Sequence, residues 1–250
     1  MRTPRSSQNP SRTSTTMPKE DFDIDSLAAY LHLTPQQVLR LADREKLPGR
    51  KVGGQWRFSQ AEIHHWLEDR IGLSDEGELV EVEQVLRRAG KGLAEKEIRV
   101  AEMLPRDAIA IPLAARTRNS VVDRMVELAA RSGLLWDPDA MAEAVRAREE
   151  LFPTSLDNGV ALLHPRRPMA KILGQPFLAL GCTGTGIPFG GRTMTDVFFL
   201  ICSTEDRGHL RTLARLSRVI AASGFLDALR VAPDAASAHR LIAETEAEME

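Results

Sequence analysis

Residues 148–165 read Arg-Glu-Glu-Leu-Phe-Pro-Thr-Ser-Leu-Asp-Asn-Gly-Val-Ala-Leu-Leu-His-Pro, and the fold of the larger part of the chain turns on this stretch. A helical pattern ends in Arg148-Glu149-Glu150. A loop rich in Pro, Thr, Ser, Asp, Asn and Gly follows. The apolar run Val160-Ala161-Leu162-Leu163 then delivers a single histidine, His164. An arginine and a histidine thus arrive on two separate elements joined by a polar loop. Imidazole is a good nucleophile and guanidinium balances an incoming anion, so the pattern suits a phosphoryl-accepting histidine. One histidine after an apolar run is more often a plain strand-end residue. The surrounding order of elements therefore has to carry the reading.

That order alternates strand-like and helix-like signals over residues 96–250. Ala108-Ile109-Ala110-Ile111-Pro112-Leu113 reads as a short strand. Thr117 caps a helix carrying Val121, Val122, Met125, Leu128 and Ala129, stopped near Gly133. Asp137-Pro138 opens a second helix that runs to Glu150. Beyond His164, Lys171-Ile172-Leu173 and Phe177-Leu178-Ala179-Leu180 are strand candidates. Gly181-Cys182-Thr183-Gly184-Thr185-Gly186 lacks the Lys-Ser/Thr of a phosphate loop and reads as a plain loop. Gly190-Gly191 marks a turn before Met194–Cys202, whose Val197–Ile201 core implies a strand buried on both faces. Ser203-Thr204-Glu205-Asp206 leads into a helix with Leu210, Leu213, Leu216, Val219 and Ile220. Val231 suggests a last extended piece, and Ala235 onward is helical. The expectation is an α/β domain with a mixed sheet flanked by helices.

The Arg-Glu helix end, the polar turn, the Ala161-Leu162-Leu163-His164 run and the later Asp206-Arg207-Gly208-His209-Leu210 motif resemble the type-2 enzyme IIA domains of the bacterial sugar phosphotransferase system. These form the fructose/mannitol/nitrogen class. The resemblance covers residues 96–250. It implies that His164 takes a phosphoryl group on Nε2 from the phosphocarrier HPr or a relative, with His209 and Arg148 beside it. Thr154, Ser155 and Arg166 are then candidate neighbours of the phosphate, and no cofactor or metal is implied. The chain departs from the family in two places. Leu163 stands where many members have proline, and Pro165-Arg166 follows the histidine where many have glycine. Pro165 offers no backbone N–H to a phosphate, while Arg166 and Arg167 add positive charge.

Residues 22–70 divide differently. Asp23 fits the N-cap of a helix with Leu27, Ala28 and Leu31 on one side. Thr34-Pro35-Gln36-Gln37 is a capping box with proline at the first helical position. Leu47-Pro48-Gly49 ends that second helix. Gly53-Gly54 joins Arg50-Lys51-Val52 to Gln55-Trp56-Arg57-Phe58 as a tight hairpin. Ser59-Gln60-Ala61-Glu62 opens a closing helix with Ile63, Trp66 and Leu67. The Leu27-Ala28 … Leu47-Pro48 … Val52-Gly53-Gly54-Gln55-Trp56-Arg57-Phe58 … Trp66-Leu67 pattern is similar to the winged helix-turn-helix modules of the excisionase/MerR-like group. That resemblance implies double-stranded DNA as a partner. Gln36, Gln37, Arg40 and Arg44 would lie on the recognition helix, and Arg50, Lys51, Gln55 and Arg57 on or near the wing.

Composition sets outer bounds. The 250 residues are 43% hydrophobic and 27% charged, with a net charge of −2, ordinary for a globular chain. No apolar run approaches the ~20 residues of a membrane helix, so no membrane insertion is expected. Two cysteines without close spacing fit a reduced, cytoplasmic protein. Residues 1–21 read as a disordered Ser/Thr/Arg/Pro arm. Residues 71–95 read as a linker, either a spacer or a homodimer contact. Three functions stay open: a DNA-binding regulator with a phosphorylatable domain, a phosphocarrier serving an enzyme IIB, and a binding protein that no longer accepts phosphate.

Overall fold

The computed structural model describes residues 21–31, 33–59, 62, 63, 66, 67, 98–190 and 192–249. Residues 1–20 of the expected arm, the linker and the middle of the Ser59–Glu62 capping box lie outside the described residues, while Asp21, the last residue of that arm, belongs to a strand.

The N-terminal unit begins with strand β1 (Asp21–Phe22), which the sequence pattern did not signal. Helices α1 (Ile24–Leu31) and α2 (Pro35–Asp43) follow, then strands β2 (Arg50–Val52) and β3 (Gln55–Ser59). The strand order is β1-β3-β2, antiparallel throughout. The expected caps form. Asp23 Oδ1 accepts from Ser26 N–H at 2.8 Å, and the Ser26 hydrogen bonds hold the Asp23 carboxyl below its ordinary range. The Gln37 amide donates to Thr34 Oγ1, and the Thr34 amide donates to Gln37 Oε1. Each such cap stabilises its helix by about 1 kcal/mol. Gly53 and Gly54 have φ of 60° and 82°, the left-handed pair that a two-residue hairpin turn requires. Leu27, Val38, Phe58 and Ile63 are fully buried and form the small core. Glu62, Ile63, Trp66 and Leu67 are helical, and the Trp66 indole N–H donates to the Lys46 carbonyl at 2.9 Å.

The C-terminal unit runs α3 (Val100–Met103), β4 (Ile109–Ala110), α4 (Arg118–Arg131), α5 (Pro138–Leu151), β5 (Val160–Leu163), β6 (Phe177–Pro188), β7 (Met194–Cys202), α6 (Asp206–Ala221), α7 (Phe225–Arg230) and α8 (Ala235–Glu248). The sheet order is β4-β6-β7-β5. β4–β6 and β5–β7 are parallel pairs, while β6–β7 is an antiparallel hairpin. Successive side chains of β7 point to opposite faces. Phe198, Leu200 and Cys202 pack with α4 and α5. Val197, Phe199 and Ile201 pack with α6, α7 and α8. Helices therefore cover both faces of a mixed sheet, as expected.

Several local expectations fail for definable reasons. Gly181–Gly186 is not a loop but part of β6, which pairs with β7 on both sides of a register shift between Cys182 and Ile187. A Cβ at Gly181 would lie 2.7 Å from Met125 Sδ, so its glycine serves helix–sheet contact rather than a turn. Ala170–Ile172 is a 3₁₀ turn closed by Ile172 N–H on Met169 O, and only Leu173 makes an isolated bridge, to Leu135. The Ala108–Leu113 strand shrinks to Ile109–Ala110, because Pro112 has no N–H to continue the ladder. Val231 is no strand but the exposed cap of α7.

Candidate functional site

α5 obeys its signals. Asp137 accepts from the Ala140 amide, Pro138 opens the first turn, and Arg148 and Glu149 lie buried in the last. The Arg148 guanidinium donates to the Phe152 carbonyl at 2.6 Å. The chain then crosses the polar loop, and β5 delivers His164 directly behind Leu163.

His164 is only 2% exposed. Its Nδ1 lies 2.7 Å from the Leu162 carbonyl oxygen. A carbonyl can only accept, so Nδ1 is the donor, and in the neutral ring the lone pair is then on Nε2. His209, in the first turn of α6, is also buried, and its ring centroid lies 4.9 Å from that of His164. Ser203 Oγ, at the end of β7, lies 3.1 Å from His209 Nδ1 and fixes the second ring. The two histidines that the sequence placed far apart are thus neighbours, each with its Nδ1 held from outside the pair.

The other candidates divide. Thr154 is buried and its hydroxyl donates to the Glu149 carboxylate, which also accepts from the Thr154 amide at 3.2 Å. Its proton is therefore already committed. Ser155 is half-buried, and its hydroxyl has no partner among the described residues. Arg166 is exposed, as is Arg167, and Pro165 is buried. Ser203, Glu149 and Arg118 belong to this neighbourhood without having been singled out. Arg118 reaches Glu149 Oε2 at 3.2 Å and stacks 5.4 Å from the Phe189 ring centroid. No spacing signal marks them, since their partners come from distant segments. Among the described residues no cluster of His, Cys, Asp and Glu could hold a metal.

In the N-terminal unit Gln36, Gln37, Arg40 and Arg44 are exposed on or just beyond α2. Gln37 spends its carboxamide oxygen on the Thr34 amide. Arg40 Nε donates to the Gln36 carbonyl at 3.4 Å. The hairpin cations face carboxylates of their own unit. Arg50 lies 3.6 Å from Asp21 and Lys51 3.8 Å from Asp43, and Lys51 also caps the Trp56 ring at 4.9 Å. Arg57 is half-buried and donates to Trp56 O and Gln55 Oε1.

A four-stranded mixed sheet between helices, with one buried histidine at the end of β5 and a second in the first turn of α6, defines an enzyme IIA-type domain. The model of the family "Phosphoenolpyruvate-dependent sugar phosphotransferase system, EIIA 2" matches residues 102–245, and the chain belongs to that family. A helix-turn-helix domain model matches residues 22–71. The nitrogen regulatory protein of Bradyrhizobium diazoefficiens is 31% identical over 130 residues, which are 50% of this chain and 84% of that protein. The fructose-specific EIIABC component of Bacillus subtilis is 27% identical over 127 residues, 49% of this chain but only 20% of that protein. The chain therefore spans about a fifth of the latter's length. Among solved structures, IIA-Ntr of Neisseria meningitidis aligns with a TM-score of 0.52 at 20% identity, covering 57% of this chain and 98% of its own. The mannitol IIA of Escherichia coli aligns with a TM-score of 0.50 at 16% identity, covering 55% and 97%. Both share the fold. No helix of the described residues is long and apolar enough to cross a membrane.

Proposed function

We propose that this protein is a cytoplasmic DNA-binding regulator whose IIA domain accepts a phosphoryl group on Nε2 of His164 from an HPr-type phosphocarrier. The observation that carries this reading is the hydrogen bond between His164 Nδ1 and the Leu162 carbonyl, with the His209 ring tilted against it at 4.9 Å. The Nε2 lone pair attacks phosphorus, an N–P bond forms, and the bond to the donor's histidine breaks. The donor imidazole leaves with that electron pair. Positive charge spreads over the His164 ring as it becomes phosphorylated, and the Leu162 carbonyl accepts from its Nδ1–H throughout. His209 and Arg148 would support the phosphoryl group, as their positions in the family motif imply. The helix-turn-helix domain favours regulation over transport, and the kinship with a nitrogen regulatory protein points the same way.

The test is incubation with phosphoenolpyruvate, enzyme I and HPr, followed by assay for acid-labile phosphate. The wild type is expected to be labelled, His164→Ala to be blank, and His209→Ala to keep a slow residual reaction. Labelling that survives His164→Ala, or a wild type that takes no label, would refute the assignment. Chasing the label into an added enzyme IIB separates the regulator from the carrier: rapid onward transfer would favour transport.

A further inference from the structure

We infer that Glu149 is a positioning residue for His164, acting through the loop that lies against the outer edge of β5. The inference rests on the phosphoryl-acceptor reading for its effect on rate, but its geometry stands apart from that reading. Glu149 is 2% exposed. Its carboxylate accepts from the Thr154 amide and the Thr154 hydroxyl, and pairs with Arg118. A buried carboxylate needs such partners, and here they come from the loop on one side and from α4 on the other.

The loop so held bears directly on the nucleophile. β5 is the last strand of the sheet, with β7 on its inner side. Its outer side is hydrogen-bonded by residues 154–156. The Leu162 amide donates to the Thr154 carbonyl at 3.1 Å, the Leu156 amide donates to the Val160 carbonyl at 2.7 Å, and Ser155 bridges Ala161. Leu162, whose amide faces the loop, is the residue whose carbonyl receives the His164 Nδ1–H at 2.7 Å. Anchoring Thr154 therefore anchors Leu162, and anchoring Leu162 sets which ring nitrogen of the neutral His164 carries the proton. The adjacent residue works on the other end of the same loop, since Arg148 holds the Phe152 carbonyl. Two consecutive side chains at the end of α5 clamp the loop at positions 152 and 154.

The carboxylate can only accept, which matches two donors on Thr154 and a guanidinium. A carboxamide must turn an NH₂ toward one of them. Glu149→Gln therefore loosens the clamp with little change of volume. The experiment uses full-length protein labelled with ¹⁵N in histidine, and reads the His164 ring nitrogens by NMR beside the rate of phosphoryl uptake. The wild type is expected to show an unprotonated Nε2. Glu149→Gln is expected to show a population with Nε2 protonated and an uptake rate at least tenfold lower, with an unchanged far-ultraviolet spectrum. Thr154→Val removes one link and leaves the carboxylate, so a shift in the same direction is expected. It decides the matter if Glu149→Gln fails to fold. A wild-type tautomer in the folded variants would overturn the inference even if uptake slowed. A wild type that takes no phosphate at all would refute the proposed function, while the ring signals would still judge the clamp.

Discussion

Glu246 and Arg215 form the deepest ion pair among the described residues, and removing either should be felt by the whole C-terminal unit. The Arg215 side chain is 3% exposed, that of Glu246 5%, with Nε 2.9 Å from Oε1. Glu246 also acts on the backbone, because Oε1 and Oε2 accept from the Val100 and Ala101 amides at 2.9 and 2.8 Å. It thereby caps α3, the first helix described after the linker, while His239 Nε2 donates to the Ala101 carbonyl at 3.0 Å. Glu246→Ala leaves a buried guanidinium without its carboxylate, at about 3–5 kcal/mol. It also strips two amides of their acceptor, and each buried one adds about 1–3 kcal/mol unless water reaches it. We expect a loss of about 4 kcal/mol or more, a large part of the ~5–15 kcal/mol that holds an ordinary domain together. For a unit of this size that is a fall in Tm of about 8–16 °C. Arg215→Met should cost about 3 kcal/mol, because the carboxylate keeps its two amides. The double variant Arg215→Met/Glu246→Ala removes both charges and should fall short of the sum of the two single losses by about 2 kcal/mol. Urea titration monitored by circular dichroism measures all three. A loss under about 1 kcal/mol for Glu246→Ala, or strict additivity, would show that the pair is hydrated and that the cap is dispensable.

Replacing Arg40 and Arg44 together by Ala should weaken duplex binding by about 1–3 kcal/mol for a base contact, or flatten the salt dependence for phosphate contacts; no affinity at low salt for any duplex in a broad selection would end the DNA assignment. Arg50→Ala and Lys51→Ala should weaken binding less, since both cations already face carboxylates, and titration at two salt concentrations compares them with the α2 pair. Burial pushes the Cys182 thiol up to about 12 and the Cys202 thiol higher still, from an ordinary value of 9.0. Both should therefore resist alkylation at about pH 8 until the protein unfolds. Because the folded values are raised, their contribution to stability is fully present below about pH 9 and is lost as pH rises above it, where the unfolded chain releases thiol protons that the folded chain retains. Denaturation midpoints between about pH 8 and 10.5, compared with those of Cys182→Ala, check the sign.

What the sequence revealed was whatever local chemistry decides. The caps at Thr34, Thr117 and Asp137 announce themselves by short polar side chains followed by helical spacing, and each forms its bond to the amide three residues on. The run Val197–Ile201 announces burial on both faces because nothing polar interrupts it. The histidine pair was legible only through the family motif: nothing within 164–209 says that the two rings meet, since the meeting depends on β5 lying parallel to β7. Glu149, Ser203 and Glu246 were opaque for a stronger reason. A carboxylate in an Arg-Glu-Glu run looks solvated, and only the return of the chain at Thr154 shows that Glu149 is buried while Glu150 is exposed. The Gly181–Gly186 stretch misled because glycine marks turns far more often than it marks close packing. For Gly181 the reason is the Met125 sulfur and the Leu113 side chain against it, residues far away in sequence.

The charge that phosphorylation would bring also limits how the two units can communicate. A phosphoryl group adds up to about two negative charges. It would add them at Nε2 of a ring that is 2% exposed, two residues before an exposed pair, Arg166 and Arg167. Salt screens a bare field over about 8 Å at physiological strength. A signal carried by field alone would fade within that distance of the surface, well short of the span of a folded domain. An effect on DNA affinity therefore requires a contact that exists in one phosphorylation state and not in the other, and its size cannot exceed the difference in phosphoryl interaction between those two states. The exposed arginines after His164 are the groups best placed to make such a contact, because a buried cation cannot exchange partners without opening the site. The uneven pairing in the helix-turn-helix unit leads to a matching conclusion for DNA. Arg50 and Lys51 are offset by Asp21 and Asp43, whereas Arg40 on α2 and Arg44 at its C-cap have no such carboxylate against them among the described residues. The cations that would meet DNA are thus concentrated on α2, and a regulatory contact that competes with DNA has to cover that helix rather than the hairpin.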